Sequence, residues 1–505
     1  MKKRSNIYGI ELYNPPETIL SPEEYCKHVI ELGKGKNLSF AEQKTLQDFE
    51  VLRNDLYDLI AYNTDEIEVK GKKYYLSADG DDNNDGLTPE TAWSTLKRIT
   101  EFEFEKGDGV YLRRGDLWRG NMVLQSGVTY QAYGEGKKPQ IFLSFDGKTI
   151  GEWVKTDIKN VWVLDTVLEA ADIGLVVFDG GKKYGEKKKQ ISELENELDF
   201  YYSGNWVHVQ SEKRERKLYL YCSLGNPNDV FSEIELSRTG HVIQIPNFSH
   251  DIKVHNLDMR YGQDFFFHDG SKNVGLTYCF FAWMGGHYGY EAINSGCYRY
   301  GGGGGVWRAC ENMKFEHCFF TQHFDCATTP QFFGDANEPC YFKNYSMKSC
   351  LVEYCEFSFE YYSTKKNGDD YGFQNMYLGY NIFSKCGQGF GDKHFASRHI
   401  KAWNHSSPCY NCVFEHNVFD RAYSLSLEYT SRDPVNTFCN GNSHKISYER
   451  LPLLRENIFI EPKNKPFASV NQITYNFNET SQITMKKLGI TEGDIYIFDG
   501  DFKAD

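Results

Sequence analysis

Residues 274–281 read Val-Gly-Leu-Thr-Tyr-Cys-Phe-Phe, and residues 313–320 read Met-Lys-Phe-Glu-His-Cys-Phe-Phe. Both stretches carry apolar side chains at their first, third and eighth positions and a cysteine at the sixth. Apolar residues that alternate with a period of two are typical of a β-strand, whereas a helix would space them three or four apart. These stretches therefore predict strands.

The same pattern, usually with cysteine or asparagine at its sixth position, fits seven segments that start at residues 252, 274, 313, 350, 376, 412 and 452. The fourth segment is Cys350/Val352/Cys355/Phe357. A fixed strand pattern with insertions of variable length indicates the stacked coils of a solenoid, in which like residues lie on like about 4.8 Å apart. We expect the sixth positions to form one column at an inward bend, made of Cys279, Cys318, Cys355, Asn381, Asn417 and Asn457.

Composition excludes several classes of protein. Of 505 residues, 40% are hydrophobic and 16% aromatic, which excludes a disordered chain. The net charge of −14 argues against nucleic acid as the main partner. No apolar run approaches the roughly 20 residues of a membrane span, and no apolar stretch follows the basic start, so we expect neither a membrane anchor nor a secretory signal. The 14 cysteines show no disulfide framework, which predicts reduced thiols and a cytoplasmic location.

Changes in pattern divide the chain into five parts. We predict an N-terminal helical segment over 1–72, the start of the solenoid over 73–149 and an inserted β-rich subdomain over 150–238. Solenoid coils with catalytic loops follow over 239–462, and a C-terminal segment over 463–505. The helical prediction rests on capping signals and on apolar residues at helical spacing between residues 21 and 62.

The opening of the solenoid carries a family resemblance. Residues 74–86 read Tyr-Tyr-Leu-Ser-Ala-Asp-Gly-Asp-Asp-Asn-Asn-Asp-Gly, and residues 107–115 read Gly-Asp-Gly-Val-Tyr-Leu-Arg-Arg-Gly. Together with residues 130–139, this opening resembles that of right-handed parallel β-helix carbohydrate-active proteins, the pectate-lyase-like group. The resemblance covers roughly residues 73–460. It implies an all-β, right-handed parallel β-helix with long loops and an oligosaccharide substrate, but no particular sugar.

Two loop carboxylates are the leading catalytic candidates. Asp325 lies five residues after the core Phe320, and Glu360 lies three residues after Phe357. Neighbouring coils could bring these carboxyl groups to about 5–10 Å, the range of glycosidase acid/base pairs. The alternative is that each carboxylate only accepts hydrogen bonds from turn amides. Further candidates are Asp369, Asp370, Asp264 and Glu428, with Asp370 the first substitute.

The loops also hold polar and aromatic residues that suit sugar binding, because aromatic rings stack on pyranose faces and polar groups bind hydroxyls. The predicted substrate-binding residues are Trp283, His287, Arg299, Gln331, His394, Arg398 and Trp403. Structural anchoring of the loops is the alternative for His287 and Arg299. His399 precedes the apolar Ile400 and is expected to pack beneath its loop.

Neither of two metal-like motifs is complete. Cys409-Tyr-Asn-Cys412 resembles half of a zinc deaminase site, but no His-x-Glu half precedes it, and Cys412 falls on the strand pattern. Residues 79–85 resemble a calcium loop without its bidentate glutamate. We therefore expect no cofactor and no metal, with calcium at residues 79–85 as the minor alternative.

Three functions remain open. The leading hypothesis is a glycoside hydrolase that cleaves imported oligosaccharides with a pair of loop carboxylates. A polysaccharide lyase acting on uronate-containing glycans is the rival, with Lys393, Arg398, Arg299 and His394 available to neutralise a uronate or act as base. The third hypothesis is a β-helix that binds glycans without cleaving them.

Overall fold

The computed structural model describes residues 4–5, 11–12, 43–205, 215–264, 267–288, 305–308, 310–334, 340–365, 371–391, 397–403, 407–429, 448–471 and 473–501. Strands dominate, and three long sheets of parallel strands run through the repeated part of the chain. Successive coils contribute successive strands to the same sheets. This arrangement is a parallel β-helix, and it confirms the predicted fold class.

Sheet 1 is parallel throughout. In spatial order, its main path consists of Lys73–Leu76, Gly109–Arg113, Thr129–Tyr133, His250–His255, Lys272–Thr277, Glu311–Glu316, Cys340–Lys348, Tyr377–Gly379, Val413–Glu415, Leu453–Arg455 and Thr491–Glu492. Two further strands, Tyr371–Gln374 and Cys409–Tyr410, pair beside this path.

Sheet 2 is also parallel and lies after the first bend of each coil. Its strands are Leu117–Arg119, Gln140–Phe142, Asp258–Gly262, Phe280–Met284, Phe319–His323, Leu351–Glu353, Ile382–Ser384, Val418–Asp420, Ile458–Lys463 and Ile495–Asp501.

Sheet 3 follows the second bend, and only its last pair is antiparallel. Its strands are Phe267–Asp269, Gly305–Arg308, Thr328–Gly334, Phe357–Lys365, Arg398–Trp403, Leu425–Tyr429, Pro466–Val470 and Ile473–Asn476. The last strands of all three sheets lie beyond residue 462, so the β-helix continues through the segment that the sequence set apart as C-terminal.

Strand register confirms the repeat. Val274 pairs with Met313, and Leu276 pairs with Phe315 in sheet 1. Phe281 pairs with Phe320 in sheet 2, and their rings stack with centroids 4.9 Å apart. The apolar positions of the pattern are thus the inward-facing residues of the coils, and their stacked side chains form one continuous core.

The fourth segment of the pattern was placed wrongly. Met313 pairs with Tyr345, and Phe320 pairs with Val352, so Cys350 occupies the sixth position of this coil and Cys355 does not. Residues 345–357 fit the pattern twice, five residues apart, because Cys350 and Val352 can be read either as the first and third positions or as the sixth and eighth. Sequence spacing alone could not separate the two registers.

The corrected column consists of Cys279, Cys318, Cys350, Asn381, Asn417, Asn457 and Asp494. The backbone nitrogen of Cys350 donates to Asn381 Oδ1 at 2.9 Å, and the same bond recurs from Asn381 to Asn417 and from Asn417 to Asn457. Each amide therefore satisfies backbone groups that the bend leaves unpaired. All three predicted thiols, Cys279, Cys318 and Cys355, are fully buried and free.

A second row, made of one aspartate and five asparagines, lies immediately before the first apolar position of successive coils and was not predicted from the sequence. Its members all adopt a left-handed backbone with φ between 53 and 59°. They are Asp251, Asn273, Asn312, Asn344, Asn375 and Asn411. Each asparagine donates from Nδ2 to the Oδ1 of the preceding member at 2.7–2.9 Å. Asparagine tolerates this conformation better than most residues, which explains its recurrence at this turn.

A β-rich subdomain is inserted between early coils and has its own core. It contains two mostly antiparallel sheets. In spatial order, the strands of the first sheet are Trp153–Lys155, Val161–Leu164, Leu218–Tyr221, Asp199–Tyr202 and Glu186–Lys187. The strands of the second sheet are Lys183–Tyr184, Ile173–Phe178, Ile234–Arg238 and Ser144–Asp146. Buried side chains such as Phe178, Phe200 and Leu220 fill the space between the two sheets. The strands Met122–Val123 and Ile243–Gln244, which flank the insertion in the sequence, pair with each other in parallel.

Helices are few. The α-helices span Gln43–Ala61, Leu96–Glu101, Pro227–Val230 and Glu479–Lys487, with 3₁₀ turns at Pro89–Thr91, Asp179–Gly181, Ile191–Glu193 and Tyr448–Arg450. A small pair of strands, Arg4–Ser5 and Glu11–Leu12, precedes them. None of the helices in the described ranges is long and apolar enough to cross a bilayer. The first helix of the predicted N-terminal pair lies outside the described residues.

The helix Gln43–Ala61 packs against sheet 2 through Leu52, Leu56 and Tyr57. Tyr57 contacts Phe319 edge to face, with ring centroids 5.2 Å apart. Leu52 and Leu56 belong to the apolar face predicted from the sequence spacing, whereas Tyr57 was not part of that prediction.

Candidate active site

Several predicted site residues lie outside the described part of the chain. They are Arg299, Asp369, Asp370 and His394. Trp403 is placed by its backbone at the end of the strand Arg398–Trp403. The predictions for these five residues therefore stand as made.

Asp264 and Asp325 lie at the same corner of the β-helix, between sheets 2 and 3. Gly262 pairs with Met284, and Met284 pairs with His323, so the two aspartates follow matching positions with one coil between them. Asp325 is half-buried, and the Asp264 side chain is 7% exposed. The corner thus brings together two carboxyl groups in different environments.

Burial raises the pKa of Asp264 well above its ordinary value, and the nearby charge of Asp325 raises it further. His241 Nδ1 lies 3.7 Å from Asp264 Oδ2. Burial also lowers the pKa of His241, which favours the neutral imidazole. The arrangement therefore favours the protonated form of Asp264, with a second carboxyl group, that of Asp325, two coils away.

Glu360 lies on the outer face of sheet 3. Phe359 and Tyr361 on either side point into the core, so Glu360 points outward. Its carboxylate accepts a hydrogen bond from Thr329 Oγ1 at 3.3 Å and lies 3.5 Å from Lys401 Nζ. Both charged side chains are only 11% exposed, which leaves one edge of the pair accessible.

Glu428 continues this outer row. Lys401 pairs in register with Glu360 on one side and with Glu428 on the other. Arg398 Nε lies 3.2 Å from Glu428 Oε2, and Arg398 also donates to the carbonyl oxygen of Ser397. Two carboxylates and two cations therefore alternate over three strands, a surface that could hydrogen-bond the hydroxyls of a sugar.

The backbone register sets the spacing of the predicted pair Asp325 and Glu360. The nitrogen of Phe357 donates to the Asp325 carbonyl at 3.1 Å, and Glu360 follows three residues further on. Three strand residues span about 10 Å, so the two backbones are separated mainly along the strand direction. Their pairing in catalysis stays a prediction, and among the described residues Asp264 is a further carboxyl group whose electrostatics Asp325 affects.

Trp283 and His287 are each 1% exposed. The Trp283 ring lies 5.9 Å from the rings of both Tyr184 and Phe390. His287 Nε2 lies 3.2 Å from the carbonyl oxygen of Ser237. Both side chains are enclosed where the inserted subdomain covers the β-helix, so a sugar could contact either ring only if that cover moved.

Gln331 and His399 occupy contrasting positions. Gln331 lies beside the outer row of sheet 3, is partly exposed and donates from Nε2 to Thr329 Oγ1 at 3.3 Å. His399 is fully buried between Ser358 Oγ and the Asp420 carbonyl, and burial lowers its pKa to about 3. The expectation that His399 packs beneath its loop is confirmed.

In this structure, the residues of the two metal-like motifs form hydrogen bonds within a turn or pack in the core. Asp82 accepts hydrogen bonds from the backbone and hydroxyl groups of Ser94 and Thr95, and Asp85 accepts from Leu87 and Thr91. Cys412 is buried on the core pattern as predicted. Across the described ranges, no three His, Cys, Asp or Glu side chains converge as metal ligands. Whether activity needs a metal stays a prediction.

Two residues of the site, Lys401 and His241, were not predicted from the sequence. Lys401 could have been found, because alternation within His399-Ile400-Lys401-Ala402 places it on the outer face. His241 carried no such signal, since it lies outside the repeat and reaches Asp264 only through the bend that follows the inserted subdomain.

No protein-family profile and no curated protein sequence matches the chain. Among solved structures, one described as a glycoside hydrolase is similar over 86% of this chain and 97% of its own, with 9% identity and a TM-score of 0.47. The complex of XylC with xylose matches over 80% and 73%, with 11% identity and a TM-score of 0.42. An alginate lyase from Paenibacillus sp. matches over 81% and 95%, with 8% identity and a TM-score of 0.39. Likenesses at this level do not define a family or a reaction.

Proposed function

We propose that the protein is a glycoside hydrolase in which Asp264 is the general acid and Asp325 is its partner carboxylate. The observation that carries the proposal is the corner itself, where a buried carboxyl group and a half-buried one occupy matching positions two coils apart. Glycosidic cleavage needs one protonated and one ionised carboxyl group, and contrasting environments are how proteins provide them.

The spacing favours an inverting reaction. Two coils separate the backbones of Asp264 and Asp325 by about 10 Å. Inverting glycosidases hold their carboxyl groups about 6.5–9.5 Å apart, which leaves room for a water molecule, whereas retaining enzymes need about 5 Å. In this scheme Asp264 protonates the leaving oxygen while Asp325 activates the water. Proton NMR of the first product formed should therefore show the inverted anomer.

The outer row of sheet 3 would bind the substrate. Glu360, Lys401, Arg398 and Glu428 present both hydrogen-bond donors and acceptors close to the corner. Substitution of Glu360 by glutamine should therefore raise KM more than it lowers kcat.

The assignment is tested with Asp264→Asn, Asp325→Asn and Glu360→Gln on a glycoside found by screening oligosaccharides. We expect Asp264→Asn and Asp325→Asn to lose at least ~10²-fold in kcat. Asp157→Asn, an exposed aspartate of the inserted subdomain, is the matched control and should keep full activity. If Glu360→Gln lost as much kcat as Asp325→Asn while Asp264→Asn stayed active, the pair would be Asp325 and Glu360.

The same assay separates the alternatives. A lyase would release an unsaturated uronate that absorbs in the ultraviolet, and a glycan-binding protein would release no product. We also propose that the protein works in a reducing compartment on imported oligosaccharides; the reducing compartment is supported by the ten described cysteines, which are all buried and form no disulfide with one another. Fractionation of the native cell would test the location.

A further inference from the structure

A cavity of about 570 Å³ lies between the inserted subdomain and the outer face of sheet 2. Phe142, Arg260 and Tyr261 form its wall on the β-helix side, and Asp179 and Glu233 belong to the inserted subdomain. This volume is within the range of about 300–1,000 Å³ that is typical of small-molecule sites. Nothing in the reaction proposed above uses it.

Two arginines in the wall are fixed by bidentate ion pairs. Arg119 donates to both oxygens of Glu235 at 2.6 and 2.8 Å. Arg260 donates through Nε and Nη2 to Asp258. Their charges are neutralised, while their planar, rigid forks remain as hydrogen-bonding groups at the cavity wall.

The remaining charges of the wall are balanced, three positive against three negative. They belong to Lys137, Lys148, Lys182, Asp146, Asp179 and Glu233. Lys148 Nζ donates to the carbonyl oxygens of Asn228 and Phe231. For Lys137, Lys182 and Glu233, the described residues provide no ion pair within 4 Å. An anionic ligand would meet carboxylates wherever it met lysines, whereas an uncharged molecule with many hydroxyls could use both.

We propose that this cavity binds an uncharged sugar unit. Sugar hydroxyls donate to carboxylates and accept from ammonium and guanidinium groups, so a polar wall without net charge suits a neutral sugar better than a uronate or a sugar phosphate. Apolar contact is available from the partly exposed Leu117. Neither Asp264 nor Asp325 belongs to the residues that line the cavity, so the cavity is distinct from the carboxylate pair. Binding here does not depend on the hydrolase proposal.

Saturation-transfer NMR titrations of the full chain test the proposal with xylose, galactose, N-acetylglucosamine and their short oligomers, against galacturonate and glucose 6-phosphate. Asp325→Asn protein is used so that catalysis does not consume the probes. We expect at least one neutral sugar to bind and the two charged sugars to bind at least tenfold more weakly. Because the Asp325 site could also bind sugars, variants of the cavity are needed.

Thr149→Trp fills the exposed mouth of the cavity, and Glu233→Gln removes an exposed charge from its wall. Both should weaken binding at least tenfold and leave the melting temperature within a few degrees. Glu152→Gln and Lys155→Gln, exposed positions of the same subdomain outside the cavity wall, are the controls and should leave binding unchanged. The proposal is overturned if no neutral sugar binds, if the charged sugars bind more tightly, or if neither cavity variant weakens binding.

Discussion

At the scale of single residues, Asp494 shows what burial does to a carboxyl group that ends a column. Its Oδ1 accepts from the backbone nitrogen and Nδ2 of Asn457 at 2.7 and 3.1 Å. Its Oδ2 is buried and has no hydrogen-bond partner in the described structure. The Nδ2 atoms of Asn381, Asn417 and Asn457 each donate to a backbone carbonyl oxygen of the preceding coil. The acceptor for Asn457 is the carbonyl oxygen of Phe414. By analogy with these asparagines, we expect Asp494 Oδ2 to lie near the carbonyl oxygen of Leu454, where only a protonated carboxyl group could donate a hydrogen bond.

Burial accordingly raises the pKa of Asp494 to about 7, against an ordinary value of 3.8. A raised folded-state pKa means that the folded protein binds this proton more tightly than the unfolded chain. The free energy of unfolding should therefore fall as pH rises from about 4 to 7, by up to about 4 kcal/mol from this group. Asp494→Asn should remove that fall and be more stable than the wild type at pH 8, measured by urea denaturation. Asp501→Asn at the exposed strand end is the control, and an unchanged pH dependence in Asp494→Asn would contradict the assignment.

Asp264 gives a kinetic prediction of the same kind. Its raised pKa favours the protonated carboxyl group, so the alkaline limb of the kcat/KM profile should follow the ionisation of Asp264. Asp264→Asn should lose this alkaline limb, and its activity should be largely retained on dinitrophenyl glycosides, whose leaving group needs no proton. Rate profiles on natural and activated substrates test this. Equal losses on both substrates would rule out Asp264 as the acid.

At the scale of the element, the inner column is the feature that fixes the coils in register. Asn417 Oδ1 accepts from the backbone nitrogen and Nδ2 of Asn381, and its own Nδ2 donates to Leu378 and Asn457. No polar group of this side chain is left unpaired. The Asn417 side chain therefore links its own coil to the coils on both sides of it.

Asn417→Ala should cost at least about 2 kcal/mol, because it leaves buried donors and acceptors on two neighbouring coils without partners. Asn417→Cys should cost less. In the same column, the Cys318 thiol donates to the Leu276 carbonyl at 3.3 Å, and Cys350 Sγ accepts from the Cys318 nitrogen at 3.4 Å. Urea denaturation of both variants measures the difference. Equal losses would show that volume, and not hydrogen bonding, determines this position.

At the scale of the whole molecule, one buried ion pair ties the N-terminal helix to the middle of the β-helix. Arg53 and Glu353 are 300 residues apart in sequence, and their side chains are 3% and 0% exposed. The guanidinium donates through Nη2 to Glu353 Oε2 at 2.6 Å. Burial by itself would lower the pKa of Arg53, but the charge of Glu353 and its hydrogen bonds raise the pKa above the ordinary value, so the cation persists in the interior.

Arg53→Met should destabilise the protein by about 3–5 kcal/mol, because it leaves the Glu353 charge buried without a partner. The double variant Arg53→Met/Glu353→Met should recover most of the loss, since an apolar pair can replace a buried ion pair. Lys97→Met, which removes one member of an exposed ion pair with Glu101, should change stability by less than about 1 kcal/mol. Thermal and urea denaturation measure all three. Failure of the double variant to recover stability would contradict the buried-charge explanation.

The sequence by itself determined the class of fold and the residues that face its core. Apolar residues with a period of two, as at Val274, Leu276, Met313 and Phe315, indicate strands and exclude helices. Because these strands recur with similar residues at equivalent positions, they indicate the stacked coils of a solenoid. The asparagine that precedes the first apolar position of five coils was equally readable from the sequence, but the prediction did not use it. These features are local, so they can be recognised in the sequence of each coil separately.

Only the tertiary structure decided the register of residues 345–357, because the pattern fits them twice and pairing with Met313 and Phe320 selects one solution. It also decided the surroundings of the carboxyl groups. Asp325 was found from its position after a core strand, but its nearness to the buried Asp264 depends on how two bends stack. Sequence spacing reports distance along the chain, whereas the pKa of a carboxyl group depends on what surrounds it in space.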